Sequence, residues 1–233
     1  MDVLQILFLI FLAYLLGSIP SGLIIVMLFS GKDIRRVESG RTGGTNAMRA
    51  AGYYAGVLTG ILDLLKAAVA VWLAQALFPV NPWIHVFAAL AAILGHNYSI
   101  FLLERGVEGR ARFRGGAGGA PTVGAAFAMW PWSLLFVLPL SSLVFYFVGY
   151  ASLTTISAPL IITLVFAYRA WIGASPWAYA AYGVLAEIIL LWALRPNIRR
   201  LLNGTERLVG YRARKKKPES PADYSSSSSS SSK

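Results

Sequence analysis

An all-α, polytopic membrane protein is the fold class this sequence predicts, with seven transmembrane helices, one of them short, an external N-terminus and a cytoplasmic C-terminus. Three observations predict it. The chain is 57% hydrophobic and 13% charged, about half the charged fraction of a soluble domain. Its apolar residues gather into runs of about 20, the length that crosses a hydrocarbon core. Its basic residues are segregated: of 21 Lys and Arg, five lie in residues 31–52, four in 104–121 and ten from Arg195 onward. An odd number of spans puts these three stretches on one side, and the positive-inside rule makes that side the cytoplasm. Without cysteine the chain has no disulfide, thiol nucleophile or thiolate metal ligand. The net charge of +11 fits anionic lipid headgroups beside the spans and does not call for nucleic acid.

Taken in order, Val3 to Phe29 is long enough to span. Gly17-Ser18-Ile19-Pro20-Ser21-Gly22 interrupts it, which predicts a kink where Ser18 or Ser21 satisfies the freed carbonyls. The run lacks a basic n-region and is too long for an h-region, so a cleaved signal peptide is not expected. Arg35 to Arg49 follows, with three glycines, a serine, two threonines, Asn46 and four arginines. Bare N–H groups, hydroxyls and guanidinium forks suit phosphate. A connector whose arginines only fix orientation is the alternative. Tyr53 to Phe78 is the second span, and Asp63 and Lys66 share one of its faces. They form either an ion pair that locks helices or a pair at the cytoplasmic end of a polar cavity that orients the phosphate loops.

Pro79 to Pro82 turns the chain, and Trp83 to Leu103 returns as the third span. His85 is expected as a wetted interfacial imidazole. His96, in Gly95-His96-Asn97-Tyr98, is a candidate for acid–base work or a helix-packing histidine. The stretch from Glu104 ends in Arg114-Gly115-Gly116-Ala117-Gly118-Gly119-Ala120-Pro121-Thr122, glycines that lead into a helix N-terminus and so make a ready anion site. It lacks the lysine and hydroxyl residue of a nucleotide P-loop, and ATP is not expected. A short helix over Thr122 to Met129 and spans near 132–149, 153–171 and 177–194 complete the seven. Glu187 reads as a buried protonated carboxyl or an interface residue. Arg195 to Arg207 is the third polar stretch. Residues 1–210 are read as the membrane domain and 211–233 as a basic, then Ser-rich, disordered tail.

Three motifs carry a resemblance. Ser39-Gly40 with Gly43, Thr45-Asn46 and Arg49, then Gly95-His96 with the glycine loop, then Asn197-Ile198 with Arg200-Leu201-Leu202 and Gly204, resemble the bacterial integral-membrane glycerol-3-phosphate acyltransferases that use acyl phosphate. The chain looks like a divergent member over about Phe8 to Arg207. The resemblance implies a bacterial cell-membrane enzyme with a cytoplasmic site. It would move a fatty acyl group from acyl phosphate to the 1-hydroxyl of glycerol 3-phosphate, giving lysophosphatidic acid and phosphate, the first step of phospholipid synthesis. The donor is already activated, so no metal or cofactor is implied, and catalysis rests on positioning and charge neutralisation.

By motif position the resemblance implies a catalytic set of Ser39, Asn46, Arg49, His96 and Asn197. The phosphate-binding set is Gly40, Gly43, Gly44, Thr45, Arg114, Gly115, Gly116, Gly118, Gly119 and Arg195. Arg49 would clamp glycerol 3-phosphate, Arg114 with the following N–H groups would hold the acyl phosphate, and Asn197 would close the site. Four departures stand out: Ala117 in place of a lysine, Leu194 in place of a histidine, Ser99 in place of a proline, and an inserted-looking stretch from Glu104 to Arg112. Arg110, Arg112 or Arg114 is the expected substitute for the missing charge. A catalytically impaired relative that binds phosphate or lipid is one alternative. A small transporter of a phosphorylated metabolite is another, weakened by the clustering of polar residues at one membrane face.

Overall fold

The computed structural model describes residues 3–105 and 111–215. Arg110 and residues 216–233, which include the Ser-rich end of the expected tail, lie outside the described residues. Helices α1 (Val3–Ser18) and α2 (Ser21–Ser30) are one apolar run broken at Ile19-Pro20, because proline offers no N–H and disfavours a helical residue before it. Ser18 bonds back to Tyr14 O at 2.9 Å, but the carbonyls at the break are met from elsewhere. Ser99 Oγ donates to Ser18 O at 2.5 Å and Lys66 Nζ to Ile19 O at 2.9 Å.

A 3₁₀ turn (Ile34–Arg36) and α3 (Gly44–Ala51) occupy the first polar stretch, and α4 (Tyr53–Leu77) returns through the bundle. Next, α5 (Pro82–Asn97) starts on Asn81, whose side chain accepts from Trp83 N–H at 3.2 Å. The third span was expected to reach Leu103; the helix instead stops at Asn97, and the chain forms a hairpin. Strand β1 (Ser99–Arg105) pairs antiparallel with β2 (Ala111–Arg114), Leu103 opposite Phe113 and Glu104 opposite Arg112. The fold is therefore mostly helical and not all-α. Hydropathy runs on through Ile100 to Leu103, so it cannot register that Glu104 pulls this segment onto Arg35 and Arg114, at 2.7 and 2.6 Å.

The remaining elements are the short α6 (Gly119–Met129), α7 (Leu134–Leu143) between a 3₁₀ and a π turn, α8 (Ala151–Trp171), α9 (Trp177–Leu202) and α10 (Gly210–Lys215). Five helical segments among the described residues are long and apolar enough to cross a membrane: Val3–Ser30, Tyr53–Leu77, Pro131–Val148, Ala151–Trp171 and Trp177–Leu202. At 16 and 11 residues, α5 and α6 are shorter. The last helix also outruns its expected end at Leu194. Pro196 cannot bond Trp192 O, and Arg195 Nε donates to that carbonyl at 2.9 Å instead, so α9 carries Asn197 and Arg200 before it ends.

Small residues bring the helices close. A Cβ on Gly17 would overlap the backbone of Ala92, one on Gly95 the backbone of Tyr14, and one on Gly124 that of Leu64, which fixes α1 against α5 and α6 against α4. His85 is not wetted: it is buried, with Nδ1 2.9 Å from Tyr179 Oη and Nε2 2.9 Å from Phe78 O. Glu187 is half-buried, and its Oε2 has no hydrogen-bond partner among the described residues.

Candidate active site

The first polar stretch is built by its own side chains. Asp33 accepts from Arg35 N–H at 3.0 Å and pairs with the Arg35 guanidinium at 2.7 Å, which holds its carboxyl below the usual aspartate value. Asn46 Nδ2 reaches the carbonyls of Ile34, Val37 and Arg41 at 3.2, 3.0 and 2.8 Å. Its amide nitrogen thus folds the loop over the start of α3, leaving only the buried Oδ1 without a partner among the described residues. Gly40 turns with φ 66°, and a Cβ there would stand 2.9 Å from Arg35 O. Gly43 precedes α3, and Gly44 lets α3 lie against α4, since a Cβ on it would be 2.8 Å from Gly56 O.

Arg41, which the motif reading did not single out, joins the three stretches. Its guanidinium donates to Gly116 O at 2.9 Å, Ala193 O at 2.6 Å and Asn197 Oδ1 at 3.4 Å. Burial, and then the charge of Arg200, lowers its pKa from the ordinary guanidinium value, yet arginine stays cationic at any working pH. Thr42 N–H bonds Gly115 O at 3.3 Å, and Gly116 N–H bonds His96 O at 2.9 Å. The glycine loop accordingly runs between the first stretch and the end of α5. A side chain at Gly115 would overlap the His96 and Asn97 carbonyls, and one at Gly116 would overlap the imidazole.

Beneath this loop Asp63, Lys66 and His96 form a buried cluster. Lys66 Nζ is 2.8 Å from Asp63 Oδ1, 2.9 Å from Ile19 O and 3.0 Å from His96 Nδ1. The ammonium thus has three close polar neighbours for its three N–H groups. His96 Nδ1 also lies 3.4 Å from Asp63 Oδ1, so the imidazole faces both charges of the pair on one side and turns Nε2 toward Gly116 on the other.

These parts enclose a cavity of ≈ 560 Å³ at one end of the bundle. Ser39, Arg41, Gly43 to Asn46, Met48 and Arg49 line it from the first stretch, Ala117 to Ala120 from the second, and Leu194, Asn197, Arg200 and Thr205 to Arg207 from the third. Asp63 and His96 also reach its wall. Three helices begin on it: α3 at Gly44, α6 at Gly119 and α8 at Ala151, the last also contributing Ser152 and Thr155. First-turn N–H groups have no intrahelical acceptor and carry the positive end of the helix dipole. The α8 contribution was not foreseen, although the Gly149-Tyr150 break ahead of Ser152 marks it in the sequence.

Of the expected site residues, Ser39, Gly43, Gly44, Thr45, Asn46, Arg49, His96, Gly118, Gly119 and Asn197 meet in this cavity. Gly40, Arg114, Gly115, Gly116 and Arg195 are not among its lining residues. Arg114 Nε is 2.6 Å from Glu104, and its NH1 donates to Arg35 O at 3.3 Å, so it braces the hairpin. Arg195 stacks its guanidinium 3.3 Å over the Trp192 ring. Among the cavity arginines, Arg200 pairs with Glu206 at 3.1 Å and Arg207 pairs with Glu38. Asn197 Nδ2 also donates to Glu206, at 2.9 Å. Arg49 has no carboxylate partner among the described residues.

Residues 7–204 match the profile of the family described as glycerol-3-phosphate acyltransferase. The chain belongs to that family. This acyltransferase chain is 38% identical to the glycerol-3-phosphate acyltransferase of Rubrobacter xylanophilus, over 88% of its own length and 96% of the relative's. It is 39% identical to glycerol-3-phosphate acyltransferase 2 of Moorella thermoacetica, over 86% and 96%. Its fold is similar to crystal structures of PlsY (YgiH), an integral membrane glycerol 3-phosphate acyltransferase. The glycerol 3-phosphate form matches with TM-score 0.76 at 34% identity, covering 91% of this chain and 100% of the other. The lysophosphatidic acid form matches with TM-score 0.74 at 33% identity, covering 88% and 96%.

Proposed function

We propose that this acyltransferase moves a fatty acyl group from acyl phosphate to the 1-hydroxyl of glycerol 3-phosphate, releasing lysophosphatidic acid and inorganic phosphate. One observation carries the reading: three polar stretches and three helix N-termini surround a single cavity at the end of an apolar bundle. Two phosphates and an acyl tail require that combination, a cationic and N–H-rich pocket bordered by grease. The relatives' names, and the glycerol 3-phosphate and lysophosphatidic acid forms of PlsY, support acceptor and product.

The hydroxyl oxygen attacks the acyl carbonyl carbon, an ester C–O bond forms, and the bond from that carbon to the phosphate oxygen breaks. Phosphate departs with the electron pair. The hydroxyl proton passes to the departing phosphate. Arg49, which has no carboxylate partner among the described residues, clamps glycerol 3-phosphate with Ser39 and Thr45. The starts of α6 and α8 take the donor's phosphate, and Asn197 closes the site beside Arg41. Arg41 and Arg200 supply the charge that Ala117 does not. We count α5 and α6 as the two further membrane segments, seven in all, with the N-terminus outside and the cavity facing the cytoplasm. The meeting of all three basic stretches at one end supports that orientation.

Purified protein in detergent, given labelled glycerol 3-phosphate and palmitoyl phosphate, should release lysophosphatidate and phosphate in equal amounts. Binding without product would indicate the impaired relative. Uptake into proteoliposomes without chemistry would indicate a transporter.

A further inference from the structure

The β1–β2 hairpin has two unlike faces. Directly paired residues of antiparallel strands share a face, and alternate residues change face. Glu104, Arg112 and Arg114 therefore share one side, and Glu104 binds Arg35 of the first polar stretch at 2.7 Å and Arg114 at 2.6 Å. Leu103 and Phe113 form the other side, 50% and 45% exposed, with Arg105 beyond them. Next to them the irregular register between Ser99 and Leu103 leaves Ile100 45% and Phe101 58% exposed. The hairpin thus exposes four large apolar side chains, Leu103 and Phe113 as a cross-strand pair, and the ion pairs hold its opposite side against the first polar stretch.

What covers this face follows from where the hairpin starts. Strand β1 begins two residues after α5 ends, and Ser99 Oγ is bonded to Ser18 O at the end of α1 at 2.5 Å. The hairpin therefore leaves the bundle where α5 stops, beside the α1–α2 break, and is held through Glu104 to Arg35 in the polar stretch that follows α2. A strand advances about 3.3 Å per residue, so a hairpin standing upright would soon carry Leu103 and Phe113 into water, whereas one lying flat keeps them at the interface. Aromatic and aliphatic side chains beside an exposed arginine suit the headgroup region, with the arginine reaching lipid phosphates.

We propose that the hairpin lies on the bilayer at the end of the bundle that carries the cavity, Ile100, Phe101, Leu103 and Phe113 immersed among headgroups and Arg105 on anionic phosphates. It is a membrane-surface anchor, independent of which acyl donor the cavity takes. Because β2 runs straight into Gly115, whose carbonyl accepts Thr42 N–H, the anchor also sets the glycine loop at a fixed height above the lipid.

The chain has no cysteine, so Leu103→Cys introduces its only thiol. A nitroxide there, in the full-length protein in nanodiscs containing phosphatidylglycerol, should be open to oxygen but several-fold less accessible to a water-soluble nickel chelate than a label at Lys32→Cys. Phe113→Cys should give the same pattern, and Arg112→Cys should stay accessible to nickel. Labels at 103 and 113 as nickel-accessible as the one at 32 would overturn the anchor. Labels shielded from both reagents would also overturn it, since protein would then cover the face. Replacing phosphatidylglycerol with phosphatidylcholine should raise nickel accessibility at 103; no change would overturn the role given to Arg105.

Discussion

Arg41 shows what one side chain contributes here, since its planar fork meets a carbonyl of the glycine loop, a carbonyl of α9 and the side chain of Asn197. Removing it leaves buried acceptors unsatisfied, and Arg41→Ala should lower stability in detergent by about 3 kcal/mol. Arg41→Lys should not restore activity, because one ammonium cannot reproduce the fork. Thermal unfolding and acyl transfer together check both. Arg49 lines the cavity, and the role proposed for it is on substrate. Arg49→Ala should raise KM for glycerol 3-phosphate roughly 10-fold or more while leaving the unfolding temperature unchanged. Asp33 gives a pH signature. Its folded pKa is lowered by hydrogen bonds from Arg35, so its support of the first stretch is complete above the ordinary aspartate value and fades as pH falls through the folded value, below about pH 4. Amide exchange over 31–43 should quicken in that range, and Asp33→Asn should abolish the pH dependence. Composition made the cationic character of this stretch legible. It did not distinguish Arg41, which meets carbonyls more than 70 residues away, from Arg49, which lines the cavity.

Elements carry the next layer. The apolar helices could be read from hydropathy, and so could the glycine-led start of α6. Hydropathy failed where apolar sequence and helix part company: Ile100 to Leu103 continue a greasy run but belong to a strand held by Glu104, and Pro196 hides a helix that Arg195 keeps intact through Trp192 O. The glycine loop depends on close backbone approach, so Gly116→Ala should cost about 100-fold in acyl transfer by displacing His96 and the loop together. Inside α4, Lys66 ties the α1–α2 break to the bundle through Ile19 O, while its partner Asp63 reaches the cavity wall. Lys66→Met should destabilise by about 3–5 kcal/mol, because it strands a buried carboxylate, and Asp63→Asn/Lys66→Met should recover part of that loss. Calorimetric or fluorescence unfolding of the single and double variants checks the coupling.

At the scale of the whole molecule, the segregation of basic residues already pointed to one polar end, and the cavity is where those stretches meet. Which atoms meet there could not be read, because Arg41 to Ala193 and Glu38 to Arg207 are contacts across most of the chain. Convergence of three distant stretches on one phosphate-binding cavity is the central claim, and ligand protection of single cysteines tests it most directly. Met48→Cys, Ala117→Cys and Thr205→Cys each place a lone thiol on the cavity wall from a different stretch. An impermeant maleimide applied to the cytoplasmic face of inverted vesicles should label all three, and glycerol 3-phosphate should protect all three with the same half-protection concentration. Protection of one thiol without the others, or labelling of any of them only from the opposite face, would contradict it.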